Sequence, residues 1–223
     1  MRLETILSMA PQVESAVDVG ADHAKVAIEL VRRKIATRAT ATDVGEGPLS
    51  RAKLAISACG MSDRVSTRLT DGLTDVEKHD LVVIAGMGGE LILHILDTAS
   101  WTRDDSVTFI LQPMTAGERL RAGLFHRGYR VEREEIAREG RKFYPILLVR
   151  RGQEQYESLD QLYLSRAADK SPLAKEYVSH VLARMEKQLF GLKAAEEQDA
   201  ERIRDIEQII AALQRRSERY DRT

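Results

Sequence analysis

A single cysteine, Cys59, among 223 residues excludes a disulfide framework and any metal site built from several cysteines, and no metal is expected. Long apolar runs are missing as well. The most hydrophobic stretch, around Leu81 to Leu96, is broken by glycines, Glu90 and His94, whereas a membrane-spanning helix needs about 18 or more apolar residues in a row. The first residues, MRLETILSMAP, are too polar to read as a signal peptide, so the expectation is a cytoplasmic protein without a membrane partner. Charge of one sign is not in excess either. With 34 Lys or Arg against 35 Asp or Glu, the global balance gives no electrostatic argument for a nucleic-acid partner.

What is present is enough apolar material, 43% of the chain, for one α/β domain of about 150 residues and a smaller unit. The first part alternates β-rich runs with helical patterns, as repeated βα units do. Strands are expected at Ala16–Val19, Ala39–Thr42, Val65–Arg68, Leu81–Ala85, Val107–Leu111, Tyr129–Ile136 and Tyr144–Arg150. Helices are expected at Asp22–Lys34, Pro48–Cys59, Gly89–Asp97 and Ala116–Arg127, where apolar residues recur every three or four positions. Only a charged turn, Glu139-Gly140-Arg141, separates the last two strands, so they form a hairpin. Seven strands, parallel until a terminal antiparallel hairpin, is the methyltransferase layout of the doubly wound sheet rather than the six-stranded dinucleotide layout.

After Gly152 the composition turns to Glu, Lys, Arg, Ala, Leu and Gln with no strand pattern, which divides the chain into domains at 1–152 and 153–223. Ser171-Pro172 reads as an N-cap followed by proline at the first helical position. Val178, Leu182, Met185, Leu189 and Leu192 then form a heptad seam, which lands on the polar Glu196 and Asp199 before resuming at Ile203, Ile206, Ile210 and Leu213. A break after Gly191 into an antiparallel coiled-coil hairpin of about 20 residues per arm fits this pattern. A continuous coil with a polar interruption is the alternative, and the unit could equally serve dimerisation, so both a monomer and a coiled-coil dimer are open.

The candidate chemistry sits at the strand ends. Asp18-Val19-Gly20-Ala21-Asp22-His23 is a strand end that turns, through one glycine and two acids, into a helix. A pyrophosphate site would want several glycines at a helix N-terminus, and negative charge repels phosphate. The turn therefore suits the sulfonium and amino group of S-adenosylmethionine better than NAD. Asp43 ends the second strand, 23 residues after Gly20, where a carboxylate can accept both ribose hydroxyls. Asp71-Gly72 follows the third strand, where an acid can take the adenine amine; either aspartate could also be a simple turn residue. Ala85-Gly86-Met87-Gly88-Gly89 ends the fourth strand at the switch point, and its glycines imply close approach to a ligand or a flexible turn. Gln112-Pro113 ends the fifth strand and brings an amide that can both donate and accept near the same crevice.

In this order and spacing, VDVGADHA, ATDVGEGPL, LTDGL, AGMGGELI, LQP and KFYPILLVRRG resemble the bacterial tRNA (adenine-N1)-methyltransferases of the TrmK type, which modify the adenosine at position 22 of the D-loop. The likeness covers nearly the whole chain. It implies a Rossmann-like class I methyltransferase fold, S-adenosyl-L-methionine as cofactor and tRNA as partner. Carried over by position, it implies that Asp18, Gly20, Asp22 and His23 surround the methionine part of the cofactor, Asp43 the ribose and Asp71 the adenine, with Gly86, Met87, Gly88 and Gly89 at the transfer site. Two positions depart from the family pattern: Met114 follows Leu-Gln-Pro where an asparagine is usual, and Lys25-Val26-Ala27 stands where Tyr-Leu-Pro is usual.

If the acceptor is adenine N1, its neutral lone pair attacks without losing a proton, so alignment rather than a base is needed. His23 is the only acid or base in the motifs, and cofactor orientation is its competing role. Phe143 and Tyr144 could stack on an extruded base, with core packing as the competing account for Phe143. Between His126 and Arg151 eight Lys or Arg face four Glu, and Arg141 and Lys142 in that stretch are candidate RNA contacts. On the helical unit Arg184, Lys187, Lys193, Arg202 and Arg204 could meet phosphates from one face. A methyltransferase of a small molecule or a protein, and a silent S-adenosylmethionine-binding assembly protein, are the alternatives.

Overall fold

A computed structural model describes residues 2–195 and 199–222. The chain divides into two compact units, 1–154 and 155–223. The first opens on a helix, α1 (Arg2–Met9), and continues with β1 (Val13–Val19), α2 (Lys25–Arg32), β2 (Ala36–Asp43), α3 (Glu46–Ala58) and β3 (Val65–Leu69). Then come β4 (Leu81–Gly88), α4 (Gly89–Asp97), β5 (Thr108–Thr115), α5 (Gly117–His126), β6 (Tyr129–Glu139) and β7 (Lys142–Arg151). The sheet order is β3-β2-β1-β4-β5-β7-β6. Strands β1 to β5 pair in parallel, and β7 is antiparallel to both its neighbours, β5 and β6. The expected seven-stranded, mostly parallel architecture is what the chain adopts. Because the order runs outward from β1 to β3 and then crosses back to β4, the carboxyl ends of β1 and β4 flank the switch-point crevice.

The core follows from burial on both faces of the central strands. Leu81, Val82, Val83 and Ile84 of β4 and Phe109, Ile110 and Leu111 of β5 are all fully buried, so these strands read as continuous apolar runs rather than alternating ones. Several sequence expectations differ from the observed elements. The helix expected from Asp22 begins as an α-helix only at Lys25, because His23 (φ 65°) and Ala24 (φ 48°) adopt left-handed backbone within a single 3₁₀ turn, Asp22–Ala24. The fourth strand runs on from Ala85 to Gly88 through a register shift against β5. Helix α1 was absent from the expectation although Leu3, Ile6 and Leu7 carry helical spacing.

In the second unit a short helix, α6 (Asp160–Tyr163), and a 3₁₀ turn, Arg166–Lys170, precede α7 (Ala174–Lys193) and α8 (Ala200–Asp221). Lys175 pairs with Asp221, and Lys193 with Glu207 at 2.6 Å, so the two long helices are antiparallel. Val178, Val181 and Met185 of α7 and Ile206, Ile210 and Leu213 of α8 are buried. Helix α7 begins at Ala174 rather than after a Ser171 cap. Ser171 belongs to the preceding turn, its N–H donating to Ala168 O (2.8 Å) and its carbonyl accepting from Ala174 N (3.0 Å). The expected break after Gly191 falls later, since α7 continues to Lys193. Of the two polar seam positions, Asp199 caps α8 by accepting from Arg202 N at 3.0 Å, and Glu196 lies outside the described residues. Arg216, 1% exposed, gathers Asp160, Asp169 and the carbonyls of Leu164 and Ser165 around α8. Among the described residues no helix is long and apolar enough to cross a membrane.

The β5–α5 corner is fixed by a charge pair with no exposure at all. Arg121 reaches Glu134 of β6 through Nη2 and through Nε (3.3 Å), and its Nη1 donates to Gly117 O at 2.9 Å. Removing one partner strands the other charge in the core, which costs about 3–5 kcal/mol, whereas replacing both by apolar side chains is far milder. Arg121→Met is therefore expected to lower unfolding free energy by that amount in chemical denaturation, and Arg121→Met with Glu134→Leu to recover most of it.

Candidate active site

The strand ends of the first unit bring the expected acidic and glycine positions to one side of the sheet. Asp18 lies one residue inside the end of β1 and is 5% exposed. Its Oδ2 accepts from the Ala27 N–H at 3.3 Å, its single hydrogen bond among the described residues. Burial pushes the Asp18 carboxyl up to about 7, against the lowering effect of that amide. A buried carboxylate with no cation beside it is the arrangement that an incoming ammonium group would complete.

Gly20 turns the chain away from β1 with φ +73° and anchors to the end of β2, the N–H groups of Gly20 and Ala21 donating to Thr42 O at 2.8 and 2.9 Å. A Cβ here would stand 2.1 Å from Met87 Cε. Glycine is required here by the left-handed backbone, while the contact is with the movable end of the Met87 side chain. Asp18, Gly20, Asp22 and Ala85 line one cavity of about 170 Å³. Asp22 is exposed and held by Arg51 (Nε to Oδ1, 2.8 Å), which keeps its carboxyl below the usual carboxylate range. His23 does not line this cavity, and its Nε2 stands 3.7 Å from Asp22 Oδ1 with the side chain about half exposed (48%).

Gly86, Met87 and Gly88 form an irregular end of β4 rather than a loose loop. Ala85 pairs with Gln112, Met87 with Pro113 and Gly88 with Thr115, with register shifts between them, and Gly86 takes φ +83°. Gly89 starts α4 so close to the β5–α5 corner that a Cβ would meet Ala116 O at 2.4 Å. Gln112 is fully buried. Its Oε1 accepts from Gly86 N (3.1 Å) and its Nε2 donates to Pro113 O (2.8 Å). Its amide therefore holds the glycine segment in place from beneath, instead of presenting itself to a base edge as expected.

Asp43 and Asp71 do not line the Asp18 cavity; they stand at the adjacent ends of β2 and β3. Asp43 Oδ1 accepts from Gly45 N at 2.9 Å, and Asp71 opens a turn whose Gly72 has φ +60° and sits against Ile95. Beside them Val44 (69%) and Leu69 (52%) expose large apolar side chains. Carboxylates flanking exposed apolar surface fit a flat, hydroxyl- and amine-bearing ring system. Val44 and Leu69 were not singled out from sequence because nothing in their immediate pattern marks them as exposed.

Phe143 and Tyr144 are neighbours on β7, and successive residues of a strand face opposite ways. They cannot both stack on one base. Arg138 lies over the Phe143 ring (5.5 Å), whereas Arg2 lies over Tyr144 (5.3 Å). Arg2 also reaches Gln112 Oε1 (3.4 Å) and lines the Asp18 cavity, so Tyr144 is the one of the pair tied to the site. Arg141 and Lys142 are exposed at the β6–β7 turn. Sequence reasoning missed the wall supplied by α1, namely Arg2, Leu3 and Ile6, together with Lys25 and Val26 from the start of α2. The residues present fit the aminoacyl end of the expected cofactor: a buried acid deep in the cavity, apolar walls, and cations at Arg2 and Lys25. No group of three or more His, Cys, Asp or Glu among the described residues could hold a metal ion.

The raised Asp18 carboxyl has a pH consequence. Its folded value, about 7, is above the ordinary 3.8, so the folded protein without ligand favours the protonated form, and stability from this group is lost as pH rises from about 3.8 to about 7 and levels off above that. An ammonium ligand favours the ionised form, so its affinity falls about tenfold per pH unit below that value. Asp18→Asn is expected to stabilise the ligand-free protein at pH 8 by about 2–4 kcal/mol in thermal or chemical denaturation, and to lose the pH-dependent ligand affinity measured by calorimetry.

Comparison with known proteins agrees with this architecture. Residues 1–147 match the family model described as a methyltransferase domain. The chain is 33% identical over 178 residues, 78% of its length and 74% of the relative's, to the tRNA (adenine(22)-N(1))-methyltransferase of Bacillus subtilis strain 168. A crystal structure of the Bacillus subtilis m1A22 tRNA methyltransferase TrmK superposes with a TM-score of 0.77 at 26% identity, covering 97% of this chain and 94% of that one. The Streptococcus pneumoniae protein Sp1610 in complex with S-adenosyl-L-methionine superposes with a TM-score of 0.81 at 32% identity, covering 97% and 98%. With this sheet, this cavity and these relatives, the chain belongs to the tRNA (adenine(22)-N(1))-methyltransferase family.

Proposed function

We propose that the protein transfers the methyl group of S-adenosylmethionine to N1 of the adenosine at position 22 of tRNA, in the cytoplasm. The carrying observation is the 33% identity to a tRNA (adenine(22)-N(1))-methyltransferase over 78% of the chain. The unpaired acid in the switch-point cavity supports the same reading.

The cofactor supplies an electrophilic methyl carbon on a sulfonium; the chain's residues supply position. Asp18 receives the cofactor's ammonium, Gly20 leaves room for the chain to pass, Asp43 takes the ribose hydroxyls and Asp71 the adenine amine, with Val44 and Leu69 against the ring. Gln112 holds Gly86 by its N–H and so fixes the floor against which methyl and base meet. Adenine N1 attacks with its own lone pair, so no side chain is assigned as base. Alignment of this kind is worth about 7–11 kcal/mol in well-organised systems. Methylation of the pairing edge requires a base freed from its stack. Arg141, Lys142, Arg184, Lys187 and Arg202 are exposed cations for phosphate contacts.

The test is methyl transfer from labelled S-adenosylmethionine to unmodified tRNA, followed by nucleoside digestion. The expected product is 1-methyladenosine, lost when adenosine 22 is replaced and reduced at least about 100-fold by Asp18→Ala. Cofactor binding with no methylated tRNA would instead point to a small-molecule or protein acceptor.

A further inference from the structure

The amino-terminal ends of the strands carry a second cavity, at the opposite end of the sheet from Asp18. Among the described residues the connection from β3 to β4 contains no helix, and its residues 77–79 instead close a cavity of about 370 Å³ beside the starts of β2 and β3. Arg38, Arg64 and Lys78 line it, together with Thr40, Ser66 and His79. Ala39 and Val65 are partners in the pairing of β2 with β3, so Arg38 and Arg64, one residue earlier on each segment, stand side by side. Neighbouring like charges weaken a sheet unless an opposite charge lies between them. Lys78 pairs with Asp104 at 2.5 Å and Arg64 with Asp63 at 3.6 Å, whereas the Arg38 side chain has no hydrogen bond or ion pair among the described residues. The cavity's own carboxylates, Asp63 and Glu77, are both exposed.

His79 is buried, and a chain of hydroxyls leads from it toward solvent. Its Nδ1 stands 2.7 Å from Glu77 O and its Nε2 3.1 Å from Thr40 Oγ1, which in turn is 3.2 Å from Ser66 Oγ. A carbonyl oxygen only accepts, so Nδ1 carries a hydrogen, and in the neutral ring Nε2 is an acceptor. Thr40 then donates to His79 and Ser66 donates to Thr40, which leaves the exposed Ser66 with lone pairs alone to offer. A proton on Nε2 reverses the chain: His79 donates to Thr40, Thr40 donates to Ser66, and the Ser66 hydroxyl hydrogen turns outward. Burial holds the His79 imidazole below its ordinary value, and the charge of Arg38 adds to this, against the Glu77 carbonyl and the Asp80 and Glu77 carboxylates. The Trp101 ring, 6.5 Å away, brings no charge, and Lys78 is already paired. An anion beside Arg38 cancels a repulsion on the imidazolium and accepts the hydrogen that protonation releases.

We propose that this cavity binds a tetrahedral oxyanion, the phosphate monoester group of a small ligand, between Arg38, Arg64 and the Ser66 hydroxyl, and that binding draws a proton onto His79. A guanidinium matches such an anion with two parallel N–H bonds. The volume falls in the range of small-molecule sites, about 300–1,000 Å³, and a concave site at this end of the strands is not shared with the methyl-transfer crevice.

Sulfate is the first probe, because it stays a dianion while His79 titrates. Sulfate is exchanged for chloride at constant ionic strength, and NMR signals of the full chain are followed from pH 8 to pH 6. Saturable shifts are expected at Arg38, Ser66 and His79, with affinity rising at least about threefold over that range and with proton uptake in calorimetry. Arg38→Gln should weaken sulfate at least about fivefold and leave methyl transfer to tRNA unchanged. Thr40→Val, which breaks the hydroxyl chain but keeps both arginines, should still bind sulfate and lose most of the pH dependence. Inorganic phosphate should compete with sulfate, and unmodified tRNA should not. Shifts that never saturate, or that persist in Arg38→Gln, would overturn the site. Binding without proton uptake would overturn the part given to His79, and displacement of sulfate by tRNA would give the contact to an RNA backbone and overturn the small-ligand reading.

Discussion

The structure of the first unit turns on one uncompensated charge. Asp18 sits at the end of a strand that is hydrogen-bonded on both sides, in a place where the sheet leaves a crevice, and among the described residues no cation pairs with its carboxylate. Burying a carboxylate without a partner costs several kcal/mol, and a fold keeps such a group only where a ligand repays it. The empty fold is therefore less stable than it could be, and on the cofactor reading proposed above the same carboxyl gives the bound state its affinity and its pH sensitivity. Folding and function compete at this residue, as they do at many sites built to bind charge.

Clearance is the second constraint, and it is set by glycine. Gly20 turns beside Met87 with a left-handed backbone, and Gly89 passes Ala116 O at a distance that admits no β-carbon. These contacts tie the end of β1 to the end of β4, and the start of α4 to the β5–α5 corner. That corner is in turn locked by the buried Arg121–Glu134 pair. Gln112 closes the chain of support by fixing Gly86. The proposed transfer site is thus made of backbone held in place by its neighbours, which suits a reaction that needs alignment and no proton transfer.

Much of the fold was legible because its signals are local and redundant. The seven strands announced themselves by β-branched apolar runs bounded by glycines and acids, and the terminal hairpin by the charged turn Glu139-Gly140-Arg141. Their ends shifted by a few residues where β4 and β5 continue past Ala85 and Leu111, since pairing there depends on a bulge that no periodicity encodes. Helix α1 was readable in the spacing of Leu3, Ile6 and Leu7 but sits among polar residues that mask it. The segment 155–172 was not readable at all: it has little apolar period, and Arg216, some 50 residues later, organises it.

Within the candidate site the strand-end motifs were legible, because Asp18, Gly20, Asp22 and Ala85, which line one cavity, are local features of βα turns. What sequence could not supply were the long-range partners, Arg2 over Tyr144 and Gln112 under Gly86, and the opposite facing of Phe143 and Tyr144. The account depends most on Asp18 waiting for a cation, and carboxyl-carbon NMR of that residue tests this directly, by titration with and without S-adenosylhomocysteine. A midpoint near 7 in the free protein, displaced far downward when the ligand's ammonium is bound, is the predicted result; an ordinary carboxyl midpoint that the ligand leaves unmoved would contradict it.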